Sequence, residues 1–459
     1  MESHANSVED RLIDGLSFKL SPGASYVQER KSVTYHPQGS NVYSTNGTKL
    51  IKLLVSGDAW MDPSTFRVMF DLVNMDPTEA KQLRPLGGPW SFFRRMRVLC
   101  GGQVVEDIDN YNRVHEMFSI MTASDSRSNV NSEAFGQKWD IRDDFNTALT
   151  AASFPGIFGG QSQTVLFKPL SGLLNQPKYL PIRYCPITIE LELVNDATVP
   201  IVSYLLGNEF DNTNTSVSWQ IQNVQVKCDM CTLDNALDNS YAEHLLSGKA
   251  LPINYNTYVS QIQSTQGSSR LIDGVNVIVG QKDIRHNVTR SLSRLKSVFV
   301  SFDHAVPSSD DQYIGRKEWN DFYSPMQYYA KEANNQFNSK GEFEFQLQLG
   351  SKLYPEYPIR SHAEAYYQLR KTLGVQSSSL HNFDIDSHEY RNWKFVLGTD
   401  MEKVLEAGFT GANTRAGDIL NISFKHNDTV DTNYATSMHV VLHSDNIVEV
   451  RDSGIVVFD

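Results

Sequence analysis

Apolar and polar residues alternate with a period of two along much of this chain. In "PITIELELVN" (186–195), Ile187, Ile189, Leu191 and Leu193 share one side, and Thr188, Glu190 and Glu192 share the other. Successive side chains of a strand point to opposite faces, so this spacing predicts a strand with one buried and one wet face. "TFRVMFDLVN" (65–74), "SVSWQIQNVQVKC" (216–228), "EFEFQLQLG" (342–350), "DILNISFKH" (418–426) and "MHVVLHS" (438–444) carry the same rhythm. Within 216–228 the apolar phase flips at Gln222-Asn223, from Val217, Trp219 and Ile221 to Val224, Val226 and Cys228. That flip predicts a bulge or a strand that changes sheets. Turn signals at Asn46-Gly47, Gly87-Gly88-Pro89 and Gly101-Gly102 separate the runs. Many short alternating strands between turns predict packed antiparallel sheets rather than a βα repeat.

Three stretches change period. "SYAEHLLSG" opens with Ser240 and has Glu243 three residues later, a capping box, with Gly248 placed to end the helix. "SHAEAYYQLRKTLG" repeats the device with Ser361 and Glu364, ends at Gly374, and carries Tyr366, Leu369 and Leu373 as an apolar stripe. "DNYNRVHEMFSIM" sets Val114, Met117, Phe118 and Met121 on one side. These stripes read as core packing. Each half of the chain is then a set of strands, a hairpin, a short helix and more strands, with the 240–248 helix between the halves. The fold class predicted is all-β with a few short helices, as two tandem antiparallel sandwiches. The expected division is an N-terminal arm (1–24), a first sandwich (25–235) and a second (236–459). The arm holds one short amphipathic turn at Val8, Leu12, Ile13 and Leu16.

Composition is that of an ordinary folded protein: 40% of the 459 residues are hydrophobic and 20% charged. The formal net charge is -12. A chain that wraps nucleic acid is usually basic, so sequence-specific nucleic-acid binding is not expected. The arginines of "RRMR" (Arg94, Arg95, Arg97) read as side chains snorkelling from a sheet face. The opening "MESHANSVEDRLIDGLSFKL" is polar and acidic, unlike a secretory leader, and no apolar run approaches the roughly 20 residues that span a bilayer. Synthesis without a secretory signal is the expectation, and the sequons at Asn46, Asn214, Asn287, Asn421 and Asn427 read as chance. Four cysteines do not make a disulfide framework. Cys228 and Cys231 form a lone C-x-x-C with no second pair, whereas structural zinc usually takes four ligands.

Catalytic signatures are missing. There is no phosphate-binding glycine loop, no dinucleotide fingerprint, no H-E-x-x-H and no nucleophile elbow. His115 lies on a predicted helix without a second histidine at ligand spacing, and His304, His362, His381 and His388 stand alone. One acidic pair remains to be weighed. Glu342 and Glu344 sit two apart in a strand, roughly 6.5–7 Å, near the carboxylate separation of an inverting glycosidase. Gln346 and Gln348 extend that face as a uniform polar stripe, and Glu190 and Glu192 repeat the arrangement in the first half. Two such ladders read as wet or interface-facing sheet surfaces. No catalytic, cofactor-binding or metal-binding residue is predicted, no cofactor is expected, and the chain reads as a non-enzyme.

Several stretches in order resemble one family. "WSFFRRMRVLCGGQVVEDIDNYNRVHEMF" (90–118) is similar to the strand–Gly-Gly–strand–helix segment of double jelly-roll major capsid proteins. "LFKPLSGLLNQPKYLPIRYCPITIELEL" (166–193) looks like the end of their first jelly roll, and "SLSRLKSVFVSF" (291–302) like an early strand of the second. "QLGSKLYPEYPIRSHAEAYYQLRKTLG" (348–374) and the terminal "FTGANTRAGDILNISFKH" and "HVVLHSDNIVEVRDSGIVVFD" complete the resemblance. It is strongest to polinton-like viruses, adintoviruses and related small eukaryotic DNA viruses; the His-Pro-rich tryptophan motif associated with the large viruses is not visible. The resemblance implies two jelly rolls side by side and a homotrimeric capsomer of pseudo-hexagonal outline. It also implies an icosahedral double-stranded DNA virus shell and a separate penton or minor capsid protein at the vertices. The protein would then be located in the virion, and its arm would meet a minor protein or an internal membrane. The polar loops 205–216 and 304–323 are the candidates for exposed or subunit-bridging positions.

Two other classes stay open. A scaffolding protein with the capsid fold would share every feature above. A glycan-binding or glycan-cleaving β-sandwich would use the 20 tyrosines and 6 tryptophans, although Trp60, Trp90, Trp139, Trp219, Trp319 and Trp393 are spread along the chain.

Overall fold

The computed structural model describes residues 26–136, 156–201, 215–272, 275–304, 322, 324–325, 343–374, 385–392, 394–404, 408–415, 417–426 and 435–459. The N-terminal arm, Glu342 and His381 lie outside the described residues.

The alternating runs form strands. In the first half these are β1 (Val27–Tyr35), β2 (Val42–Tyr43), β3 (Leu50–Val55), β4 (Trp60–Asn74), β5 (Gln82–Leu83), β6 (Phe93–Cys100) and β7 (Gln103–Asp109). Helices α1 (Tyr111–Ile120) and α2 (Ser124–Ser132) follow, then β8 (Ile157–Phe158), β9 (Ser162–Phe167), β10 (Leu180–Pro181), β11 (Ile187–Leu193) and β12 (Trp219–Leu233). Helix α3 (Asn235–Leu246) leads into the second half. There β13 (Leu251–Ser264), β14 (Gln266–Ile272), β15 (Val275–Gly280), β16 (Asp283–Asn287), β17 (Leu295–His304), β18 (Phe343–Leu349) and β19 (Lys352–Ile359) precede two helices. These are α4 (His362–Thr372) and α5 (Ser387–Asn392), and β20 (Leu397–Asp400), β21 (Leu420–His426), β22 (Ala435–Arg451) and β23 (Gly454–Phe458) close the chain.

Strand pairing is the same in both halves. In the first, β1-β12-β4 make one sheet, with β9 and β10 also on β4, and β3-β11-β6-β7 make the facing one. In the second, β13-β22-β17-β20 faces β16-β21-β18-β19. Taken in chain order, β1, β3, β4, β6, β7, β9, β11 and β12 correspond one for one to β13, β16, β17, β18, β19, β20, β21 and β22. The ladders are antiparallel. Eight strands in two such sheets are a jelly roll, and each roll places a helix, α1 or α4, directly after its fifth strand.

The inward residues are the apolar phase of each run. Phe66, Val68, Phe70 and Leu72 of β4 are wholly buried, and the Phe70 ring meets Phe93 edge-on at 5.7 Å between centroids. In the second roll Phe302 and Phe343 lie against Phe424, at 4.8 and 5.6 Å. The phase flip at Gln222-Asn223 is a bulge. The β12–β4 register shifts between Gln222 and Gln225, and Asn223 takes a left-handed φ of 52° while its Nδ2 donates to Asp71 Oδ2 at 2.6 Å. Gly101 and Gly102, at φ 53° and 85°, form the two-residue β6–β7 turn, a conformation that needs positive φ at both positions.

One helix start differs from the sequence expectation. Helix α3 begins at Asn235, not Ser240, because the Asp234 side chain accepts the Ala236 N–H at 3.1 Å and caps it earlier. Gly248 does end it, returning its N–H to Leu245 O at 3.0 Å. For α4 the expected cap is present: Ser361 Oγ accepts the Glu364 N–H at 3.2 Å. Glu364 Oε2 in turn accepts from Arg360 N at 3.0 Å, one residue before the usual box partner. Among the described residues no helix is long and apolar enough to cross a membrane.

Candidate assembly site

The two rolls meet along a buried seam. Helix α1 of the first roll lies on the outer face of the β13-β22-β17 sheet of the second. Phe118 packs its ring on Tyr258 at 4.7 Å and on Phe299 at 5.3 Å. Tyr258 stacks on His443 at 5.0 Å, and His443 Nδ1 lies 3.1 Å from Ser297 Oγ. Burial pushes the His443 imidazole down to about 3, so it sits there neutral. Arg113 reaches across from α1, donating from Nη2 to Phe302 O at 2.7 Å, with its guanidinium 4.6 Å above the Phe322 ring.

Backbones also approach closely here. Tyr255 of β13 donates its hydroxyl to Val105 O of β7 at 3.0 Å, and Lys178 Nζ donates to Pro252 O at 3.0 Å. A Cβ on Gly172 would fall 1.5 Å from Asn256 O, so only glycine permits this contact. A Cβ on Gly101 would meet Ile455 of β23 at 2.8 Å. The C-terminal strand therefore seats against the β6–β7 turn.

Glu106 of β7 is buried at this seam. Its carboxyl accepts the Gly172 N–H at 2.8 Å and the Ser171 hydroxyl. Burial pushes it up to about 7, against the opposing pull of those two donors. Burial raises the hydroxyls of Tyr111, Tyr255 and Tyr258, and the nearby charge of Glu106 raises them further.

The acid ladders face outward. On the β3-β11-β6-β7 sheet, Lys52, Glu190, Arg97 and Asp107 form one cross-strand row and Leu50, Glu192, Arg95 and Asp109 the next. Glu190 pairs with Lys52 and Arg97 at 3.5 Å each, Asp107 with Arg95 at 2.6 Å, and Glu192 with Arg94 at 3.4 Å. The arginines of "RRMR" and the glutamates of "IELEL" are thus one alternating-charge network, each exposed pair of which contributes little. A third row, Leu54, Thr188, Leu99 and Val104, is mostly apolar. In the second roll Glu344 lies between Lys425 and Arg360, at 3.9 Å from each. A general acid requires burial or a carboxylate neighbour, and the part-exposed Glu344 has two cations beside it instead.

The remaining candidates separate. Cys228 points into the first roll and Cys231, three residues on, to the other face, as the strand period dictates, so the C-x-x-C does not converge. All four cysteines are buried free thiols. His115 stacks on Trp90 at 3.9 Å, and its Nε2 lies 3.3 Å from Lys168 O; burial pushes it down to about 4. His362 is also pushed to about 4 by burial, with Nε2 3.2 Å from Ser324 Oγ. His304 ends β17, and His388 falls in α5. Of the two loops expected to be exposed or bridging, 205–214, 305–321 and 323 lie outside the described residues. Near their C-terminal ends two described residues are buried: Ser216 Oγ donates to Asn74 Oδ1 at 2.8 Å, and Phe322 is sealed under Arg113. Glu106, Arg113, Phe118 and Tyr255 went unnoticed in the sequence as seam residues.

No family model and no curated protein matches the chain. Solved structures do. PBCV-1 VP54, as fitted into a reconstruction of the virophage Sputnik, superposes with a TM-score of 0.59 at 11% identity, over 96% of this chain and 98% of that one. The chain has the double jelly-roll fold. A cryo-EM structure of the Sputnik virophage gives a TM-score of 0.56 at 10% identity, over 96% of this chain and 90% of that one. The Faustovirus major capsid protein gives 0.56 at 9%, over 94% and 92%. These double jelly rolls extend over nearly the same length as the present chain, with both rolls matched.

Proposed function

We propose that this chain is the major capsid protein of an icosahedral double-stranded DNA virus, and that three copies form a capsomer of pseudo-hexagonal outline. The observation that carries this is the pair of topologically identical jelly rolls joined by a buried seam. A duplicated sandwich held rigidly side by side supplies two of six equivalent blocks, so three chains make a six-sided unit. The match to viral capsid structures over both rolls supports the same reading. We place the virus in the small polinton-like branch on the motif pattern of 90–118 and 348–374, and divide the chain into an arm (1–24) and rolls at 25–235 and 236–459. A penton or minor capsid protein would fill the vertices, and the arm would contact a minor protein or internal membrane. The chain's role is structural, with no chemistry of its own.

The test is composition of purified particles. A capsid subunit is the most abundant protein of mature particles, at a copy number set by the shell. A scaffolding protein with the same fold is present in precursors and lost from mature particles. Absence from both overturns the proposal.

A further inference from the structure

Three rings in series join the two rolls. Phe118 of α1 lies on Tyr258 of β13, and Tyr258 stacks on His443 of β22 with the ring planes 13° apart. We propose that His443 is the catch of an acid-sensitive latch, taking up a proton as the ring stack opens and α1 lifts from the second roll. The latch is a property of the single chain and stands apart from the three-chain reading.

The surroundings of the imidazole suit its neutral form only. Nδ1 lies 3.1 Å from the Ser297 hydroxyl. Nε2 is shielded from solvent and has no hydrogen-bond partner among the described residues. In the tautomer that donates from Nδ1 to Ser297, Nε2 is bare and carries no hydrogen. The imidazolium has an N–H at both positions, so one donor and a charge would be enclosed without an acceptor.

Neighbouring charges do not relieve this. Lys296 of β17 acts on His443 and has the same sign as the imidazolium. The carboxylates beside it are engaged: Glu402 and Asp445 pair with Lys296 at 3.4 and 3.7 Å, and Asp445 also accepts the Phe409 N–H at 2.9 Å. On β22 itself, His439 shares the outward face four residues back. From β13 comes the Tyr258 hydroxyl, pushed up by burial. From α1 comes the Phe118 ring, while the titratable side chains of that helix turn elsewhere: Arg113 to Phe302 O, Glu116 to the Trp90 indole N–H and His115 to the Trp90 ring.

Burial and Lys296 together hold His443 near 3, whereas a solvated histidine titrates near 6.5. Acid therefore favours the open state, in which the ring is solvated. His115, pushed down to about 4, has the same sign. Glu106 has the opposite one, because its neutral form suits the closed seam. The share of His443 is thus read by difference.

The experiment is hydrogen exchange of the full chain at pH 7 and pH 5, comparing wild type with His443→Phe, which keeps a ring on Tyr258 without a titratable nitrogen. Glu106 and His115 are common to both chains and cancel in the ratio. Opening of α1 in wild type, relative to the variant, is expected to grow about 20-fold from pH 7 to pH 5. Peptides of β3, at the far edge of the first roll, are expected to show no such change. Should the Phe variant fail to fold, His443→Gln, equally neutral at both pH values, gives the same ratio. A ratio that stays constant overturns the latch. An equal change in β3 also overturns it, because acid would then unfold the chain as a whole.

Discussion

Glu106 places an ionisable carboxyl where the two rolls meet, and this gives the seam a pH signature. Its pKa is raised in the folded protein, from an ordinary 4.5 to about 7. The neutral acid is the form the fold prefers, so its contribution is fully present below about 4.5 and is lost as pH rises through about 7. The shift corresponds to about 3 kcal/mol. Glu106→Gln, whose amide oxygen can accept the Gly172 N–H while its NH2 donates to the Ser171 hydroxyl, is expected to be as stable as wild type at pH 5 and more stable at pH 8. Chemical denaturation at the two pH values checks this; a wild type and variant that differ equally at both would contradict it. Asn223 offers a second test. Its left-handed φ costs an ordinary side chain about 1–2 kcal/mol, so Asn223→Ala should lose that much and the Asp71 bond, while Asn223→Gly should lose less. A melting-temperature comparison reads the order. Asn223 was legible in the sequence because the apolar phase changes there. Glu106 was not, because it sits in the acidic string "EDID" and its burial comes from Tyr255 and its neighbours about 150 residues away in sequence.

Elements were mostly legible where periodicity is local. The six alternating runs are all strands, and Ser361 caps α4 as its spacing indicates. Helix α3 starts early because the side chain of Asp234, six residues before Ser240, caps the chain first. What periodicity could not show is that α1 is covered on all sides. Its stripe of Val114, Met117 and Phe118 reads as packing within its own roll, whereas Phe118 packs on Tyr258 and Phe299 of the second. Gly172 is the element-scale probe of that contact, because two backbones cross there. Gly172→Ala would put a methyl into the Asn256 carbonyl. Overpacking typically costs about 1–3 kcal/mol and more where backbone must move. The expected result is a lowered melting temperature with faster proteolysis between the rolls, and an unchanged melting curve would contradict the seam geometry.

At the scale of the molecule, the layout of strands, hairpin, helix and strands in each half corresponds to two rolls of the same strand order, though no close sequence repeat marks the duplication. Alternation specifies which face is buried and leaves the identity of the outward residues free, so two rolls share a topology while the outer face of one sheet holds Phe299 and that of its counterpart Met69. The same freedom accommodates the 11% identity to PBCV-1 VP54 over almost the whole chain. The central claim is that this pair of rolls is one third of a closed unit. Light scattering on the purified full chain over a wide concentration range, with negative-stain images of the main peak, tests it most directly. The account predicts a species three times the 51.8 kDa chain mass, about 155 kDa, with a six-sided outline. A single-chain species of 51.8 kDa at the highest concentration would contradict it.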